Sequence, residues 1–162
     1  MPKHYVLDHN FPFYVVQFAW PKAITVSRLA DVDRTLIRTR EDWEVLLALD
    51  KRGDVDGFIT NDARMLLQPK EMIALSRTRL DLVVTDGVGH EPLQATGLVM
   101  VHLERIAVSA SAEPRIVVVR PAALRPGSPW QQINVIAQHL NVNVNDLVDV
   151  ELASMGLRRR LR

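Results

Sequence analysis

Three short apolar runs in this chain each end in a carboxylate: Tyr5-Val6-Leu7-Asp8, Gly57-Phe58-Ile59-Thr60-Asn61-Asp62 and Asp81-Leu82-Val83-Val84-Thr85-Asp86. Each reads as a buried strand with an acid at its C-terminal end. In open parallel α/β sheets, ligands bind just beyond the carboxyl ends of the strands. Three acids delivered to one edge form an anionic cluster, and such a cluster calls for a cation. The hard divalent ions that suit carboxylate oxygen are Mg²⁺ and Mn²⁺.

Helical patterns separate these runs. Pro12 can open a short apolar helix over 13–19, because a missing N–H is not needed at that position. Trp20-Pro21 stops it, since the residue before proline disfavours helix. A second strand is expected over 23–29, followed by a loop that carries Asp31 and Asp33. Thr39 is a plausible N-cap for a helix with Trp43, Leu46, Leu47 and Leu49, which ends at Gly53. After the strand over 58–60, a short turn leads to a helix beginning at Pro69. A strand over 82–85, a loop from Gly87 to Pro92 and a helix over 93–109 follow. An apolar strand lies between Arg115 and Arg120, Pro126-Gly127-Ser128-Pro129 reads as a turn, and two further helices are expected over 130–140 and 145–153. The alternation predicts an α/β fold, a three-layer α/β/α sandwich with a mostly parallel central sheet.

Bulk properties narrow the function. The 162 residues suit one domain with a sizeable core; the formal net charge of +1 argues neither for nor against nucleic acid. The chain has no cysteine, which excludes disulfides, thiolate nucleophiles and cysteine-based zinc sites. No signal peptide is read at Met1-Pro2-Lys3-His4, and the run from Phe11 to Trp20 is too short to span a bilayer. A cytoplasmic protein with no membrane partner is the expectation. No Gly-x-Ser-x-Gly elbow, P-loop or Gly-x-Gly-x-x-Gly fingerprint is present, so serine-nucleophile chemistry and nucleotide-binding loops have no support.

The residues that can carry chemistry are few. Asp8 and Asp62 stand at strand ends, where an aspartate is otherwise a turn former or a cap. Asn10 and Asn61 can bond a carboxylate, a metal water or a phosphate, and Asn61 also reads as an N-cap. Thr60 can set its hydroxyl beside Asp62. Asp42, in a first helical turn, either answers the helix dipole or points to the sheet edge. Asp86 supports the cluster or, with Gly87 after it, forms a turn. His9, His90 and His102 are scattered and form no His-x-x-x-His pair. Arg28, Arg38, Arg40 and Arg64 lie near the proposed edge in sequence. The Arg158-Arg159-Arg160 tail reads as a solvated end, with contact to phosphates as the alternative.

Leu7-Asp8-x-Asn10-x-Pro12, the acidic helix start Glu41-Asp42-Trp43, and Phe58-Ile59-Thr60-Asn61-Asp62 together resemble the PIN-like nucleases, in the branch that includes toxins of bacterial toxin–antitoxin pairs. The resemblance covers the first ninety residues best. It implies a PIN-like domain over 1–120, with 121–162 as a helical extension packed on it. By position it makes Asp8, Asp42 and Asp62 the catalytic acids and metal ligands, with Thr60 as companion to Asp62. It implies hydrolysis of RNA phosphodiester bonds with Mg²⁺ or Mn²⁺, RNA as substrate, and an antitoxin protein as partner. Ala63-Arg64-Met65 departs from the pattern, which has a second acid and an aromatic after the Thr-x-Asp. That departure leaves a non-catalytic PIN-like module binding RNA or protein as the alternative. A phosphotransfer domain with Asp8 as nucleophile is a third reading, disfavoured because Asn10 replaces the second acid of Asp-x-Asp. Trp130, Ile133, Val135, Ile136 and Leu140 form either core or the face of a homodimer.

Overall fold

The computed structural model describes residues 2–38, 41–88, 91–109, 113–121 and 123–157. Thr39, Arg40, His90 and the arginines of the tail, singled out in the sequence, lie outside them. Six strands, β1 (Lys3–Leu7), β2 (Ile24–Arg28), β3 (Gly57–Thr60), β4 (Asp81–Thr85), β5 (Arg115–Arg120) and β6 (Ala123–Gly127), form one sheet in the order β2-β1-β3-β4-β5-β6. The first five are parallel, and β6 runs antiparallel to β5. The parallel strands are nearly continuous apolar runs because helices cover both their faces.

One face carries α2 (Asp42–Arg52), α3 (Pro69–Leu75), α5 (Pro129–Leu140) and α6 (Val144–Ser154) over Val6, Phe58, Leu82, Val84 and Ile116. The other carries the 3₁₀ segment Phe13–Gln17 and α4 (Pro92–Val108) over Leu7, Ile59, Val83 and Val117. The result is the three-layer α/β/α sandwich, with its two cores separated by the period-2 alternation of the strands.

Local differences from the sequence reading have local causes. The helix expected over 13–19 is a 3₁₀ segment. The expected loop over 30–33 starts as the helical turn α1 (Leu29–Val32), because burial of Leu29 pins it to the core. Of the expected turn 126–129, Pro126 and Gly127 are the end of β6, Ser128 caps α5 and Pro129 opens it. Pro126 is tolerated because β6 is the edge strand and one side of its backbone needs no partner. Of the late apolar residues, Ile133 and Ile136 are core, whereas Trp130, Val135 and Leu140 are exposed. Gly53 closes α2 in the left-handed conformation (φ 77°), as its position suggests.

At the N-terminal edge of the sheet a buried ion pair ties the layers together. Arg115 donates from Nε to Asp81 Oδ1 at 2.8 Å and from Nη2 to Oδ2 at 2.6 Å, and Nη2 also donates to the Ile106 carbonyl of α4. Asp81 is 2 % exposed and also accepts from the Tyr5 hydroxyl at 3.3 Å. Burial first, and then the Asp81 charge, push the Tyr5 hydroxyl above its ordinary value, so it remains a donor. Gly57 lies beneath this group, and a Cβ there would stand 2.6 Å from the Tyr5 ring and 2.8 Å from the Asp81 carbonyl oxygen. Removing Arg115 strands a buried carboxylate. Arg115→Met is therefore expected to cost about 3 kcal/mol of stability, read as a lower urea midpoint at unchanged slope.

Candidate active site

Strand order decides where the acids meet. From β1 the chain goes to β2 on one side, then crosses by α2 to β3 on the other, so the sheet reverses direction between β1 and β3. A crevice opens at such a switch point, outside the carboxyl ends of the two strands. Asp8 follows β1 and Asp62 follows β3.

Register then selects the face. Leu7 pairs with Ile59, and the Asp8 N–H continues the ladder to the Ile59 carbonyl at 2.8 Å. Asp8 and Thr60 are therefore neighbours on the face of Val6 and Phe58, the side covered by α2 and α3. Thr60 is fully buried, and its hydroxyl donates to Asp8 Oδ2 at 2.8 Å. The Thr60 hydroxyl oxygen in turn accepts the Asp62 N–H at 3.0 Å. One hydroxyl thus orients the Asp8 carboxylate and fixes the backbone of Asp62. Asp8 is 7 % exposed, and its second oxygen lies 2.8 Å from His9 Nδ1.

Asp42 occupies the first turn of α2, half-buried. Burial raises its carboxyl above the usual carboxylate range, and the charges of Asp8 and then Asp62 raise it further, with His9 opposing. Asp8 and Asp62 thus act on the carboxyl of Asp42. Asp62 caps the 3₁₀ segment Ala63–Leu67 and is held by Arg64, whose hydrogen bonds keep its carboxyl below the usual range. Asp62 itself, not Asn61, is the cap. Glu71, in the first turn of α3, is 8 % exposed; burial pushes its carboxyl up, and Asp42 and Glu41 add to the rise.

The other sequence-selected residues stand apart. Asp86 accepts from Arg120 Nε at 2.7 Å. Asn10 is exposed in the turn after β1, and Asn61 is half-buried after β3; among the described residues neither side chain bonds the three acids. Arg28 is engaged by Asp31, and Arg38 is exposed. Sequence reasoning missed Glu71, whose only mark is its place two residues after a helix-opening proline. It also passed over His9, because adjacency to Asp8 does not reveal that the ring turns back onto it.

The donor set of three carboxylates and a threonine hydroxyl is all oxygen, which in chemistry fits a hard divalent cation. As they stand, no three His, Asp or Glu side chains among the described residues are assembled to hold a metal ion. Both oxygens of Asp8 and both of Asp62 are already engaged, by Thr60 with His9 and by Arg64 respectively. No helix among the described residues is long and apolar enough to cross a membrane. No protein-family model, curated protein or solved structure matches the chain.

Crowded carboxylates cost stability when they ionise. Because the folded Asp42 holds its proton to higher pH than the unfolded chain does, its contribution is full below the unfolded value and is lost as pH rises through the folded one. Asp42→Asn is therefore expected to stabilise the protein by about 1 kcal/mol at pH 7.5. The gain should vanish below about pH 4, where Asp42 is protonated in both states. Urea denaturation at the two pH values checks both halves.

Proposed function

We propose that this protein is a PIN-like, divalent-metal-dependent ribonuclease. The observation that carries the reading is the Thr60 hydroxyl bridging Asp8 and the Asp62 N–H at the switch point of a parallel sheet, beside Asp42, which is raised first by burial and then by the charges of both acids. Carboxylates gathered from three separate elements, against their own repulsion, are a familiar sign of a functional site. Asp8, Asp42 and Asp62 would hold Mg²⁺ or Mn²⁺, which when bound supplies Lewis acidity at the phosphate and a water of lowered pKa.

The chain's own residues do the rest. Thr60 orients Asp8 through a charge-assisted hydrogen bond. His9 bonds the outer oxygen of the same carboxylate. Arg38 and Arg64 are exposed, and their charges suit a phosphodiester chain. RNA is the proposed substrate, and the resemblance of the sequence motifs to toxin-type nucleases makes an antitoxin protein and a cytoplasmic setting part of the proposal. A second reading, a non-catalytic module that binds RNA or protein, draws on Ala63 after Asp62 and on the unassembled acids.

The test is cleavage of mixed single-stranded and structured RNAs with Mg²⁺, with Mn²⁺ and with chelator. Metal-dependent cleavage should fall at least ~100-fold in Asp8→Ala and Asp62→Ala. Thr60→Val, which leaves every acid in place but unties Asp8 from Asp62, should lose roughly 10- to 100-fold. Cleavage that persists in chelator, or in Asp8→Ala, sinks the reading. A folded protein that binds RNA without cutting it favours the second.

A further inference from the structure

Asp62 is already in the grip of a cation that belongs to the chain. Arg64 stands two residues further on, in the 3₁₀ segment that Asp62 caps. Its Nε donates to Asp62 Oδ1 at 2.9 Å and its Nη2 to Oδ2 at 2.8 Å, and its backbone N–H also reaches Oδ1 at 2.9 Å. The guanidinium fork matches the carboxylate in the bidentate manner.

The same side chain is 84 % exposed, whereas Asp62 is 30 % exposed. No packed layer holds the arginine in place, and an ion pair in that setting contributes little to stability. The arm can leave without opening a cavity or stranding a buried group. The backbone N–H of Arg64 would remain on Asp62 and keep its carboxylate aimed.

We infer that Arg64 is a built-in stand-in cation: it occupies Asp62 in the absence of a divalent ion and yields when one binds. This rests on the ribonuclease reading of the site. A fork and a small dication compete for the same oxygens, and the positive arm repels a second positive charge beside it. Arg64 therefore raises the concentration of ion needed to assemble the acids. It also neutralises an otherwise repulsive cluster while no ion is present. The residue that departs from the nuclease-like pattern thus gains a role as the element that sets the metal threshold.

The experiment is calorimetric titration of the full chain with MnCl₂ at pH 7.5, for wild type, Arg64→Gln and Arg64→Lys, with thermal melts to confirm that each is folded. Arg64→Gln is expected to bind Mn²⁺ about five- to tenfold more tightly than wild type. Arg64→Lys should fall between them, since lysine keeps the charge and loses the fork. Mn²⁺ affinity unchanged within about twofold, or weakened, in Arg64→Gln removes this role and leaves the ribonuclease reading standing. Absence of Mn²⁺ binding by all three folded proteins at millimolar ion overturns both.

Discussion

Asp8 can meet Thr60 only because β1 and β3 pair in parallel with Leu7 opposite Ile59. Much of the molecule follows from that seam. The two strands are adjacent in space but far apart in sequence, with β2, α1 and α2 between them. Their pairing forces the chain out to one side and back across to the other, which creates the switch point. A slip of one residue between them would put Asp8 and Thr60 on opposite faces of the sheet. The apolar alternation forbids it, because the same slip would exchange the residues of the two cores.

The sheet has two charged ends of contrasting kind. At the N-terminal edge, Asp81 and Arg115 form a closed pair whose donors and acceptors are spent on each other, on Tyr5 and on α4. At the C-terminal edge the acids outnumber the cations. Asp8, Asp42 and Glu71 are held by burial and by neutral or exposed partners, and two of the three are raised above the carboxylate range. Only Asp62 has a matched partner, and that partner is mostly in solvent. The first arrangement gives stability; the second keeps charge poised for something to bind.

Much of this was legible in local residue patterns. Runs of β-branched and aliphatic residues marked the parallel strands, and Pro12 and Pro69 marked helical openings close to where they occur. Strand-end aspartates named two of the acids, and Asp42 followed from its place in a first turn. Less visible were features that depend on what a segment packs against. Leu29 makes a helical turn of an apparent loop because it reaches the core, and β6 forms beside β5 despite Pro126 because an edge strand tolerates it.

The sequence by itself determined the kinds of elements and the kinds of chemistry: buried strands, helices between them, oxygen ligands and no sulfur. Those properties are set by side chains within a few residues of one another, through period, capping and composition. Tertiary structure alone decided which acids share a neighbourhood. It joined Asp42 to Asp8 and Asp62, added buried Glu71, and sent Asp86 to Arg120. It also made Thr60 a bridge between Asp8 and Asp62 rather than a companion of one. The physical reason is distance: hydrogen bonds act over about 3 Å and charge effects grow with burial. Both quantities are fixed by strand order and register, which no stretch of residues carries on its own.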